Sequence, residues 1–156
     1  KAFGAEVTGV ASTAKLDLVR SLGADHVVDY TAEDATGGTV RYDVIIDTGG
    51  NRRLRDLRRG LTPKGRLVIV GGETKGRVLG GFDRQLRALL LSPFVSQRLT
   101  TFVSKETGGD IEALRDLVVQ GAVTPAVERT YPLGEAATAI DDLRAGRLRG
   151  KAVLVP

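Results

Sequence analysis

The sequence predicts an α/β protein built as a doubly wound parallel sheet with helices packed on it. Two observations carry this. Short apolar strands alternate with helical patterns four or more times along 156 residues. Some of those strands, notably Val44-Ile45-Ile46, are apolar on both faces, as in a parallel sheet covered on both sides. A third observation bears on function. The strands end in "VASTAK", "VVDY", "IDTGG" and "IVGG", small or polar residues that let a ligand approach the backbone. In open parallel sheets, ligands bind at those carboxyl ends.

The elements follow in order. Lys1 to Gly4 reads as the last turn of a helix stopped by Gly4. "AEVTGVA" (5–11) is a strand. The next helix has Ser12 or Thr13 as cap, Asp17 in its first turn, Leu16, Val19 and Leu22 at helical spacing, and Gly23 as its stop. "HVVDY" (26–30) is a short strand and "TAEDATGGT" (31–39) a polar loop or a ragged helical turn. "YDVIIDTGG" (42–50) is a buried strand with a glycine-rich exit. In "NRRLRDLRRG" (51–60), Leu54, Leu57 and the following Leu61 form one apolar stripe beside a solvated Arg face. "TPKG" (62–65) is a turn and "RLVIVGG" (66–72) a strand. "FDRQLRALLLSPF" (82–94) is helical up to Pro93, and "RLTTFVSK" (98–105) is a strand. "DIEALRDLVVQG" (110–121) reads as a helix capped by Asp110, with Ile111, Leu114, Leu117 and Val118 inward and Gly121 as stop. A strand lies in 125–133. A helix spans 134–146 with Ile140 and Leu143 inward, and "KAVLV" (151–155) closes the chain.

Composition narrows the function classes. Hydrophobic residues make up 42%, and no run of eighteen apolar residues marks a membrane span. Cysteine is absent and His26 is the one histidine, so no thiolate or histidine-rich metal site is expected in this stretch. The lack of cysteine fits a cytoplasmic protein. The net charge of +4 comes from positives scattered among acids, with 4% aromatic residues to stack bases, which disfavours nucleic acid as a partner.

The default ligand of this architecture is a nicotinamide dinucleotide. An acid at the end of the second strand would bind the 2′-hydroxyl of NAD and repel the 2′-phosphate of NADP. "VASTAK" has no acid; Ser12 and Thr13 offer hydroxyls and Lys15 a cation, which is phosphate chemistry. A second reading of the same residues stands beside it: Ser12 and Thr13 cap the helix and Lys15 is solvated. Tyr30 ends the neighbouring strand, where its phenol can donate to a phosphate or lie along the adenine. The joint pattern favours NADPH. Asp47 is the one acid/base candidate, and capping of the turn after its strand is the plainer role.

"AKLDLVRSLGADHVVDY", "YDVIIDTGG", "LTPKGRLVIVGG" and "YPLGEAATAIDDLRAGRLRGKAVLV" cover much of the chain. In order and spacing they resemble the nucleotide-binding half of the medium-chain dehydrogenase/reductase superfamily, in its quinone oxidoreductase (zeta-crystallin-like) branch. The resemblance implies a Rossmann-like sheet that lacks its first strand and Gly-rich loop, so that the chain starts just after them as part of a longer protein. It implies that Lys15, Tyr30 and Ser12 hold the 2′-phosphate of NADPH. Thr48, Gly49 and Gly50, with Val70, Gly71 and Gly72, would line the adenosine and nicotinamide path. Phe102 and Val103 would fall near the nicotinamide, and Lys151 would approach the cofactor from the other side. It also implies a dinucleotide-binding domain over 1–126, and a segment 127–156 that returns to a GroES-like catalytic domain. A homodimer through the strand at 98–104 and reduction of a quinone or enone complete the expectation. Any zinc ligands would lie outside this chain.

Three rivals remain. One is a zinc-dependent alcohol dehydrogenase of the same superfamily using NAD or NADP. Another is an NADPH-binding protein without turnover. The third is a methyltransferase using S-adenosylmethionine, which needs the ribose-binding acid that "VASTAK" lacks.

Overall fold

The computed structural model describes residues 1–49, 52–70, 83–102 and 105–156. The chain divides into two compact units, Lys1–Glu33 with Glu106–Pro156, and Asp34–Lys105. All strand pairing among the described residues is parallel.

In the first unit, β1 (Thr8–Ala11) pairs with β2 (His26–Asp29), Thr8 opposite His26 and Ala11 opposite Asp29. The strand expected at 5–11 starts late because the Val7 N–H is drawn off the ladder to the Asp25 carboxylate at 2.8 Å. A 3-10 turn, Thr13–Lys15, leads from β1 into α1 (Leu16–Ser21), and Gly23 ends the helical path with φ 94°. Gly9 lets α1 lie close on β1: a Cβ there would stand 2.2 Å from Val19 Cγ1. Gly9→Ala is therefore expected to destabilise the protein by about 1–3 kcal/mol through overpacking, read as a lower denaturation midpoint with unchanged slope.

The rest of this unit holds α4 (Gly108–Val119), β6 (Val127–Pro132), α5 (Ala136–Arg144) and β7 (Lys151–Val155), with β6 paired to β7. Asp110 does not occupy the cap of α4. Thr107 does, its hydroxyl accepting from the Asp110 N–H while Asp110 accepts from the Thr107 N–H. The reciprocal pair satisfies two backbone donors and places Asp110 in the first turn. The expected inward faces of α4 and α5 also differ. Ile111, Leu114, Val118, Ile140 and Leu143 are exposed, and α5 instead buries Ala139 and Asp142. Asp142 takes the inner position because it has strong partners there. It accepts from Tyr131 Oη at 2.6 Å, from Arg129 Nη1 at 3.0 Å and from Arg147 Nε at 2.7 Å.

In the second unit, β3 (Tyr42–Asp47), β4 (Leu61–Ile69) and β5 (Arg98–Thr101) form one sheet in that order. Between β3 and β4 runs α2 (Leu54–Gly60), and α3 (Asp83–Leu91) precedes β5. The core is Leu57, Leu61, Leu67, Ile69, Ala88 and Leu99, with Ile45, Leu54, Leu91 and Val95 packed on it. The Leu54–Leu57–Leu61 stripe faces this core as the spacing predicts. The expected turn at 62–65 is absorbed into β4 as an irregularity, Tyr42 pairing with Leu61 and Val44 with Arg66. The doubly covered strand fails as well. Val44 and Ile46 are exposed, so β3 buries the Ile45 face alone. A run apolar on both faces shows what a strand tolerates; what covers each face is decided by the neighbouring elements.

Candidate functional site

The carboxyl ends of β1 and β2 form one rim in the first unit. Tyr30 N–H donates to the Ala11 carbonyl at 3.1 Å, which continues the ladder one step past Asp29 and brings Tyr30 beside the β1 exit. Beyond it Lys15 N–H donates to the Ser12 carbonyl at 2.8 Å and closes the turn. Ser12 makes no side-chain capping bond, and Lys15 and Tyr30 are exposed. A hydroxyl, an ammonium and a phenol thus share one rim, the donor set an oxyanion needs.

Asp29 belongs to this rim and was missed by reasoning from sequence. Thr13 Oγ1 donates to its Oδ2 at 2.5 Å, and Thr31 donates to its Oδ1 through N–H at 2.9 Å and Oγ1 at 2.6 Å. Those bonds, the Thr13 hydroxyl foremost and Thr31 next, hold its carboxyl below the usual carboxylate range. The signal in sequence was an acid followed by Tyr and Thr at a strand end; its partner Thr13 lies 16 residues away.

The second unit presents a similar edge. Val70 N–H donates to the Asp47 carbonyl at 3.0 Å and Phe102 N–H to the Ile69 carbonyl at 2.9 Å. The exits of β3, β4 and β5 are therefore aligned, with Thr48, Gly49, Val70 and Phe102 all exposed along them. Gly50, Gly71, Gly72 and Val103 lie outside the described residues.

Lys151 opens β7, opposite Val127 in the β6–β7 sheet, and so does not share the β1–β2 sheet. Its backbone is held closely. Lys151 N–H donates to the Ala126 carbonyl at 2.6 Å, and Glu128 Oε2 accepts from the Arg149 and Gly150 N–H groups at 2.5 and 2.7 Å. A Cβ on Gly150 would meet the Ala126 carbonyl oxygen at 2.4 Å, so the "GK" pair needs glycine for close backbone approach.

Among the described residues no group of three or more His, Cys, Asp or Glu is placed to hold a metal ion. No described helix is long and apolar enough to cross a membrane.

Comparison with known proteins agrees with this α/β geometry. A family profile described as zinc-binding dehydrogenase matches residues 22–154. The chain belongs to that family, within the medium-chain dehydrogenase/reductase superfamily. It is 32% identical to a mitochondrial NAD(P)H oxidoreductase of Mus musculus over 99% of this chain and 42% of the relative. It is 31% identical to the chloroplastic NADPH-dependent alkenal/one oxidoreductase of Arabidopsis thaliana, over 99% of this chain and 35% of that protein. The quinone oxidoreductase of Coxiella burnetii shares the fold, with TM-score 0.76 and 24% identity over 97% of this chain and 45% of the other. The chain thus spans less than half the length of each of these relatives.

Proposed function

We propose that this chain is the cofactor-binding part of an NADPH-dependent oxidoreductase acting on a quinone or an α,β-unsaturated carbonyl. The observation that carries the reading is the β1–β2 rim. It sets Ser12, Lys15 and Tyr30 beside a carboxylate whose two oxygens already accept hydrogen bonds from Thr13 and Thr31. The ribose-reading position is the exit of β1, which carries Ser12, Thr13 and Lys15 and no acid; Asp29 ends β2, where it is tied to Thr13 and Thr31. The relatives named for NAD(P)H and NADPH oxidoreduction support the same assignment.

In this reading Ser12 Oγ, Lys15 Nζ and Tyr30 Oη bind the 2′-phosphate. The family resemblance also assigns Thr48, Gly49, Gly50, Val70, Gly71 and Gly72 to the dinucleotide path. The same resemblance assigns Phe102, Val103 and Lys151 to the cofactor. When bound, the dihydronicotinamide supplies a hydride. An enone or quinone that accepts it gains one proton from solvent, to give the saturated ketone or the hydroquinone. The test is NADPH oxidation by quinones and enones on the protein at its full native length. Turnover with NADPH supports the assignment, and binding without turnover on either substrate class moves it to a non-catalytic NADPH protein.

The reading includes a homodimer. Among the described residues β5 is an edge strand of its sheet, with Thr100 and Thr101 half-buried and Phe102 exposed at its end. An edge of this kind offers backbone groups for pairing with a second copy. Light scattering at micromolar concentration is expected to give the mass of a dimer; a monomer contradicts pairing through residues 98–104.

A further inference from the structure

Past the Ala11–Tyr30 bond the two strands part: β1 runs into the turn bearing Lys15, and β2 runs on to Thr31. What spans the gap is one carboxylate. Asp29 accepts from Thr13 on one side and from Thr31 on the other, and the two hydroxyl oxygens stand 3.2 Å apart. Each threonine hydroxyl has one proton and an ionised carboxylate has none, so both hydroxyls spend their one donor bond on Asp29. The Thr13 oxygen is then left with lone pairs alone. It can accept a hydrogen bond but cannot donate one to a phosphate.

We propose that Asp29 is the positioning residue of the 2′-phosphate site. Its carboxylate docks the Thr13–Lys15 turn against the exit of β2, so that Lys15 and Tyr30 face one anion. The same contact removes Thr13 from the donors and leaves Ser12, Lys15 and Tyr30. This rests on the NADPH reading above, and it assigns Thr13 a different role from the one its hydroxyl suggests in the sequence.

Asparagine and alanine at this position separate the tie from the charge, since both are neutral. Asparagine keeps the tie: its Oδ1 accepts from Thr31, and its Nδ2 donates to Thr13 Oγ1. That second bond releases the Thr13 proton outward. Alanine has no such groups.

The experiment measures NADPH and NADH affinity for the native protein, Asp29→Asn, Asp29→Ala and Lys15→Ala. The expected result is NADPH binding about tenfold tighter in Asp29→Asn than in Asp29→Ala, with NADH equal in the two within about twofold. A merely structural role would move both cofactors together, and that outcome overturns the proposal. So does equal NADPH binding by the two variants. Lys15→Ala separates the failures. If it lowers the NADPH-to-NADH ratio while the Asp29 pair shows no selective difference, the positioning role alone is lost. If it leaves the ratio unchanged, the phosphate reading falls, and the positioning role with it. Should Asp29→Ala not fold, Thr13→Val takes its place, since it cuts the same tie from the other side. The same selective NADPH loss is expected, with recovery in Thr13→Ser; loss of both cofactors, or no loss, overturns the proposal.

Discussion

Lys15→Ala is expected to weaken NADPH binding by about 1–3 kcal/mol, roughly fivefold to 150-fold, and to leave NADH within about twofold. Lys15 ends the 3-10 turn that leaves β1, is exposed, and stands on the rim with Ser12 and Tyr30. A 2′-phosphate carries close to two negative charges, and a charge-assisted bond to ammonium is among the stronger polar contacts. NADH has only a hydroxyl there and loses little when the ammonium goes. Because the cation is exposed, the NADPH affinity should also fall as salt rises, more steeply than the NADH affinity. Direct titration of each cofactor at two salt concentrations checks both statements. Equal weakening of the two cofactors would return Lys15 to an ordinary solvated side chain.

The second large effect concerns folding. Asp142→Ala is expected to lower the melting temperature by more than the exposed-site variants do. Asp142 is buried on α5 and joins three elements of the C-terminal segment: Tyr131 and Arg129 from β6, and Arg147 from the turn after the helix. Alanine leaves the buried Tyr131 hydroxyl without its acceptor, and a buried polar group left unpaired costs more than a hydrogen bond contributes. Arg129 also sits 5.7 Å from the centre of the Tyr131 ring, so its placement depends on the same cluster.

The pH dependence of this cluster has a definite sign. The Tyr131 hydroxyl first, and Arg147 next, hold the Asp142 carboxyl below its ordinary value. A depressed carboxyl contributes its stability fully above the unfolded value, near pH 4, and loses it as pH falls through the folded value. Glu128 acts in the same direction, lowered chiefly by the Gly150 N–H. Stability should therefore drop on acidification below about pH 4, and Asp142→Asn should flatten that drop. Denaturation midpoints across that range check it; an unchanged acid slope in Asp142→Asn would assign the slope to other carboxylates.

Asp142 also marks where sequence reasoning stops. The 3.6-residue period locates α5, but it assigns the inner face to Ile140 and Leu143. The structure gives that face to Ala139 and a charged residue, because Asp142's partners come from residues 5 to 13 positions away. Periodicity sees apolar side chains and is blind to a buried acid satisfied by two arginines and a tyrosine. The cap of α4 shifts for a related reason: Thr107 and Asp110 exchange bonds, and from sequence either can serve as the cap. Where interactions are local the reading holds. Gly23 and Gly121 both take positive φ just past helix ends, and Leu54, Leu57 and Leu61 line one core.

The candidate site divides in the same way. Strand ends with small or polar exits were legible because the carboxyl edge of a parallel sheet is set by strand direction alone. The lack of an acid in "VASTAK" was legible too. That Asp29 would engage Thr13 was not, since the bond forms only when β1 and β2 pair in the register that sets Ala11 opposite Asp29.

The central claim is that the β1–β2 rim reads a 2′-phosphate. The most direct measurement is a paired titration of the protein with NADPH and NADH under one buffer and salt. The account predicts NADPH tighter by about tenfold or more, from the contacts of Lys15, Ser12 and Tyr30 with the 2′-phosphate. Equal affinity for the two, or tighter NADH, would contradict it and return the rim to a plain strand-to-helix turn.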